Sequence, residues 1–308
     1  MQLLNRRRCV VGLAASLVAT QGPVAWAKDG QQRIVSVGGA LTETLFALGA
    51  QADLVGADTT SLHPEAARRL PSVGYARALS AEGLLSLRPS LVVATKDAGP
   101  LPVLRQLEAA RVRLVLLDAD HRFEGVLART RRLAELCGRA AAGQTLAAQM
   151  QQDWQAAQAS VKAAVQVRQR SQGSPGSPGS PGSTGTRPKV LFVLSHSMAQ
   201  VRVSGRDTAA DAMLAYAGAA NALTSFDGYK PLTPEAAIAA APDIILVTDQ
   251  GLQAAGGIDG LLSAPGLAQT PAGRARRVVA QDALLMLGFG PRLPQAVAAL
   301  ARALHSAG

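Results

Sequence analysis

The chain has 308 residues, 48% of them hydrophobic, enough for two globular lobes of about 150 residues each or one larger domain. It carries 31 Lys and Arg against 21 Asp and Glu, and a net charge of +10 suits an anionic ligand or an anionic membrane surface. Aromatic residues make up only 3% and no long Lys/Arg block follows residue 8, so a stacking platform for single-stranded nucleic acid is not expected.

Arg6, Arg7 and Arg8 precede an apolar run from Cys9 to Val18, and Ala25-Trp26-Ala27 then places small residues at the −3 and −1 positions of a signal-peptidase site. Residues 1–27 are expected to be an export signal cleaved near Ala27, because the apolar run is well short of the roughly 20 residues that a spanning helix needs. Asn5 to Val10 resembles a twin-arginine signal, with Cys9 and Val10 where bulkier apolar residues are preferred. Losing the three arginines from the +10 leaves +7, and losing Cys9 leaves Cys137 alone, so no internal disulfide is expected in the mature chain. Cys137 falls at helical spacing from Leu133 and Leu127 and reads as a small buried hydrophobe.

Residues 28–143 read as a first lobe. A buried-strand pattern, Arg33 to Val37, leads through Gly38-Gly39 into a helix over Leu41 to Leu48 that stops at Gly49. Farther on, Leu79-Ser80-Ala81-Glu82 opens a unit of capped helix, proline stop at Pro89 and apolar strand ending at Thr95. From Gln144 to Arg170 the chain is rich in Ala and Gln with few breakers, which predicts a rigid helix of roughly 40 Å crossing between lobes. Residues 171–188 contain a Ser/Pro/Gly tract that cannot bury apolar surface and reads as a disordered loop without function.

Residues 189–308 repeat the plan of the first lobe. Lys189 to Leu194 is strand-like, and a helix from about Thr208 to Ala217 stops at Gly218. Leu232 to Thr248 then aligns without a gap on Leu79 to Thr95. Ser80 and Thr233 read as N-caps, Pro234 suits a first helical turn, and Pro89 and Pro242 end the helices. Gly74-Tyr75 precedes the first copy as Gly228-Tyr229 precedes the second. Strands alternating with helices imply right-handed βαβ units. The fold class is therefore α/β, with two Rossmann-like lobes of mainly parallel sheets joined by one long inter-lobe helix.

Over residues 33 to 304 these features resemble the helical-backbone class of periplasmic binding proteins, which serves haem, siderophores and cobalamin. Val73 to Gly83, Arg206 to Ala212 and Gly228 to Leu232 resemble its haem-binding branch. That resemblance implies a periplasmic, monomeric carrier that binds haem, delivers it to an inner-membrane ABC permease and catalyses nothing.

The resemblance implies that Tyr75 ligates the haem iron, whereas on spacing alone it reads as a loop tyrosine packing its ring. A phenolate oxygen is a hard anionic donor suited to ferric iron. Tyrosine in water deprotonates near pH 10, so ligation at neutral pH requires the metal and a nearby cation to favour the phenolate. Arg77 is placed to be that cation. Tyr229 is expected either to flank the porphyrin or to cap the second core. His196, at a strand-to-helix turn, either approaches the ligand or is a solvated histidine. Arg77, Arg202, Arg206 and Lys230 are the cations nearest the cleft loops and suit haem propionates. Glu82 and Glu235, at matching places in the duplicated helices, read on sequence alone as stabilisers of helix N-termini. The resemblance implies that they dock on permease arginines.

The same fold could instead carry a ferric siderophore or cobalamin. An exported α/β enzyme is a more distant alternative, since Gly38-Gly39 is no GxGxxG fingerprint, no GxSxG elbow occurs, and Ser195 and Ser197 beside His196 lack an acid partner. His63, His121 and His305 have no metal-ligand spacing, so a protein-held zinc site is not expected.

Overall fold

Continuous apolar runs in four strands dictate a sheet buried on both faces, the condition of parallel sheets flanked by helices. The computed structural model describes residues 32–172, 187–194 and 201–306. The expected signal segment, most of the Ser/Pro/Gly tract and His196 lie outside the described residues.

In the N-terminal half the order is β1 (Ile34–Val37), α1 (Gly39–Ala47), β2 (Leu54–Ala57), β3 (Gly74–Tyr75), β4 (Ala78–Leu79), α2 (Ala81–Ser86), β5 (Leu91–Thr95), α3 (Leu101–Ala109), β6 (Arg113–Leu117) and α4 (Phe123–Leu136). Its main sheet is wholly parallel in the order β2-β1-β5-β6, while β3 and β4 form a separate two-stranded ribbon. Alternate residues of one strand serve opposite faces. Ile34, Leu91 and Val93 join one core with Leu41, Leu45 and Leu133, whereas Val35, Val37, Val92 and Ala94 join another with Leu84, Leu104 and Leu107.

Then come α5 (Ala140–Gln172), β7 (Lys189–Leu194), β8 (Arg202–Ser204), α6 (Ala209–Tyr216), β9 (Ala220–Asn221), β10 (Tyr229–Pro231), α7 (Pro234–Ala240) and β11 (Ile244–Thr248). They are followed by α8 (Asp249–Ala254), α9 (Ile258–Leu262), α10 (Pro271–Arg274), β12 (Val278–Gln281), α11 (Ala283–Leu287) and α12 (Leu293–Ser306). The second sheet runs β10-β8-β7-β11-β12, with β9 also pairing β7. It is mixed, because β8 and β10 run antiparallel at one edge.

The internal duplication is visible in register. Ile34 lies opposite Leu91 and Val190 opposite Ile244, so equivalent strands pair at equivalent residues. The Ser80 hydroxyl accepts the Gly83 amide and the Thr233 hydroxyl accepts the Ala236 amide, each at 3.2 Å. Both N-caps thus satisfy an otherwise orphaned helix donor. Each proline stop is preceded by a residue in the left-handed region, Arg88 at φ 44° and Ala241 at φ 42°.

The inter-lobe helix α5 has 33 residues and extends beyond the expected 144–170 at both ends. At 1.5 Å per residue it is about 50 Å long. Its Ala147, Met150 and Trp154 enter a core that also holds Phe123, Val126 and Leu127 of α4, Val190 and Phe192 of β7, and Val297, Leu300 and Leu304 of α12. One apolar core therefore spans both halves of the molecule.

Candidate functional site

In an open parallel sheet, ligands bind beyond the carboxyl ends of strands at the point where strand order reverses. In the N-terminal sheet that point lies between β1 and β5. The loop after β5 and the β3–β4 ribbon meet there. The Gly99 amide donates to the Ala76 carbonyl and the Leu79 amide to the Gly99 carbonyl, each at 2.9 Å. On the other side the Thr59 amide donates to the Gly74 carbonyl at 3.0 Å.

Gly74 has φ 93° and Gly228 has φ 78°, a backbone region that costs an L side chain strain and glycine little. The turn at Gly74 presents Tyr75, which pairs with Ala78 in the ribbon and is 45% exposed. Few large hydrophobic side chains among the described residues are so open to solvent. Arg77 Nη1 donates to the Tyr75 phenol oxygen at 2.8 Å. Arg77 Nη2 meets the Asp97 carboxylate at 2.5 Å.

Asp97 escaped the sequence reading, although an acidic residue two positions beyond the end of a buried strand, at a sheet's switch point, is a usable signal. Burial of the Arg77 guanidinium is outweighed by the charges and hydrogen bonds of Asp97 and Tyr75, and its pKa is raised. Burial of the Asp97 carboxyl is likewise outweighed, by the Thr95 hydrogen bond and then by Arg77, and its pKa is lowered. Tyr75, Arg77 and Asp97 thus form a row in which a fixed cation faces a phenol.

Tyr229 belongs to the other lobe and is more deeply set. Its phenol hydrogen-bonds the Ala210 backbone and the Thr208 side chain at the start of α6, and its ring meets Phe192 edge-on at 6.5 Å. Burial pushes its pKa up, against those hydrogen bonds and the charge of Arg77. The charge of Arg77, in the N-terminal half, therefore reaches Tyr229.

The other expected cations are less free than their sequence positions suggest. Arg202 donates to the Tyr229 carbonyl at 2.5 Å, and Arg206 pairs with Asp227 at 3.0 Å. Lys230 lies 5.0 Å from the Phe226 ring centroid, a cation–π contact, and forms no ion pair with a described residue. Glu82 and Glu235 are both exposed in the first turns of α2 and α7, and neither forms an ion pair with a described residue.

Among the histidines, His121 lies 4.9 Å from the Phe289 ring and His305 is buried with Nε2 3.1 Å from the Ala217 carbonyl. Cys137 is buried at the end of α4, where its thiol donates to the Leu133 carbonyl. No described helix is long and apolar enough to cross a membrane.

Two α/β lobes that share a duplicated unit and are bridged by one long helix define a bilobed architecture. Residues 34–284 match the family model described as periplasmic binding protein, and the chain belongs to that family.

Among solved structures it is 50% identical to the periplasmic heme-binding protein BhuT in complex with two hemes, covering 90% of this chain and 99% of that one at a TM-score of 0.80. It is 41% identical to the periplasmic heme-binding protein RhuT from Roseiflexus sp. RS-1 in apo form, covering 90% and 99% at a TM-score of 0.78. A shorter stretch of 88 residues is 31% identical to the vitamin B12-binding protein of Pectobacterium carotovorum, spanning 29% of this chain and 32% of that one.

Proposed function

We propose that this chain is a periplasmic haem-binding protein that takes haem into the groove between its lobes and delivers it to an inner-membrane ABC permease. The 2.8 Å hydrogen bond from Arg77 to the exposed Tyr75 phenol carries this reading. It would offer ferric iron a hard oxygen donor with a guanidinium in hydrogen-bond contact. The likeness over nearly the whole chain to heme-binding proteins supports the same cargo. The B12-binding relatives match only a third of their own length and offer less support for cobalamin.

In this reading Tyr75 is the iron ligand and Arg77 holds its phenolate. Arg202, Arg206, Lys230 and Tyr229 line the opposite wall of the groove, and a propionate would be drawn first to Lys230, which forms no ion pair with a described carboxylate. His196, just past β7, adds a candidate group beside the ligand. Glu82 and Glu235 project from corresponding helices of the two lobes and are the contacts to permease arginines. The protein acts as a monomer after residues 1–27 are removed in export, and it captures its cargo without chemistry.

Titrating the mature protein with hemin tests the reading. A high-spin ferric spectrum of phenolate ligation is expected and should be lost in Tyr75→Ala. Unchanged absorbance and affinity in that variant would overturn it.

A further inference from the structure

Arg77 can stabilise a phenolate only while its guanidinium stays in place, and its side chain is 61% exposed on a flexible stem. A second anchor exists. Nη1 points to Tyr75 while Nη2 is held by Asp97, so the two prongs of the fork are engaged on opposite partners. Asp97 is itself fixed, because the Ala98 amide donates to the Thr95 carbonyl at 2.9 Å and Gly99 is bonded in both directions to the ribbon that carries Tyr75.

We propose that Asp97 is a positioning residue for the iron ligand: it pins Arg77 against Tyr75 and so sets how strongly the phenolate is held. This rests on the reading of Tyr75 as the haem ligand.

Two opposed effects follow from the charge of Asp97. Fixing Arg77 favours the phenolate, whereas the carboxylate's own negative charge opposes it. The guanidinium is in direct contact with the phenol oxygen and stands between that oxygen and Asp97, so positioning outweighs repulsion. The other ionisable groups at this place are Lys96, paired with Asp118 at 2.6 Å, and Tyr229 across the groove.

The test compares haem complexes of the wild type, Asp97→Ala, Arg77→Ala, the double variant and Tyr75→Ala, reading affinity and the acid pH at which the phenolate–iron spectrum disappears. Asp97→Ala should weaken haem binding about threefold to tenfold, the range of a partly exposed charge pair. The acid midpoint should rise by about half to one pH unit, since that fold-change is a loss of phenolate stabilisation. Arg77→Ala should shift it in the same direction, and adding Asp97→Ala to Arg77→Ala should cause no further loss and should move the midpoint slightly back, because only the carboxylate's repulsion is left to remove. A midpoint that stays put or moves to lower pH in Asp97→Ala, or an equal further loss in the Arg77→Ala background, overturns the proposal. If Tyr75→Ala keeps the wild-type spectrum, the ligand assignment itself has failed; if Tyr75→Ala loses it and Asp97→Ala behaves as wild type, only the positioning role has.

Discussion

Replacing Trp154 by alanine should weaken the whole molecule and not one half of it. Trp154 is 8% exposed on α5, stacked on Phe123 of α4 at 4.5 Å with an interplanar angle of 8°, and met edge-on by Tyr216 of α6 at 4.8 Å. The Phe123 amide also donates to the Tyr216 hydroxyl at 3.1 Å, which closes the cluster between the two lobes. Truncating a buried Trp costs about 3–5 kcal/mol, a loss that here includes two aromatic pairs with well-defined geometry. Taking about 4 kcal/mol and about 2–4 °C per kcal/mol for a chain of this size, Tm should fall by about 8–16 °C. Urea and thermal unfolding followed by circular dichroism would measure it, with Trp154→Phe losing less than half as much. One transition shifted as a unit is expected, because the cluster belongs to a core shared by both halves. Two separated transitions, or a loss below about 1.5 kcal/mol, would refute the shared-core argument.

Arg292→Ala removes the partner of Glu43, which is 7% exposed and held by two 2.8 Å bonds, and should cost about 3 kcal/mol in urea unfolding at pH 7. The double variant Glu43→Gln/Arg292→Met should recover part of that loss. Burial, helped by the Arg168 charge and opposed by the Ala217 carbonyl, lowers the pKa of His305, so the folded state favours neutral imidazole. Its stabilising contribution is complete above the unfolded pKa near 6.5 and is lost as pH falls below it, so His305→Gln should flatten the fall in urea midpoint between pH 8 and pH 5. Glu82→Arg with Glu235→Arg should cut haem uptake through the permease at least about tenfold by placing like charges together, while haem affinity in solution stays within about twofold. Affinity falling in step with uptake would show that these residues act in the groove.

The duplicated unit was legible because its determinants are local. Ser80 and Thr233, Gly74 and Gly228, and Pro89 and Pro242 each act within a few residues on their own backbone. The limits of α5 were less legible. Arg139, after Gly138 at φ 67°, turns its guanidinium to Asp53 at 3.1 Å, and the helix starts at Ala140, four residues ahead of the Gln/Ala-rich run. The antiparallel edge of the second sheet has strands of three residues whose pairing connects Tyr229 to Ser204, too short for alternation to be read. Likewise Arg202 and Arg206 stood out as cations in the sequence, but their engagement by the Tyr229 carbonyl and by Asp227 depends on how that edge folds. Asp97 lies 20 residues from Arg77, and nothing local signals that the loop after β5 returns to the ribbon.

The same long-range contacts govern how the lobes can move. Beyond α5, the halves are joined by Arg292 on Glu43, by the buried Arg129 donating to both the Asp118 and Phe289 carbonyls, and by the Phe123–Tyr216 bond. A rotation of tens of degrees would break all three, and each break would leave a buried polar group without a partner at about 1–3 kcal/mol apiece. It would also open the core around Trp154. A hinge that costs this much cannot be driven by a ligand making only a few new contacts, because a ligand shifts an equilibrium only by its difference in affinity for the two states. On the proposed reading, the groove should therefore be built before the cargo arrives. In a preformed groove, affinity would depend on how well the proposed iron ligand is set in advance, and that would place the weight on the row of Asp97, Arg77 and Tyr75 more than on closure of the lobes.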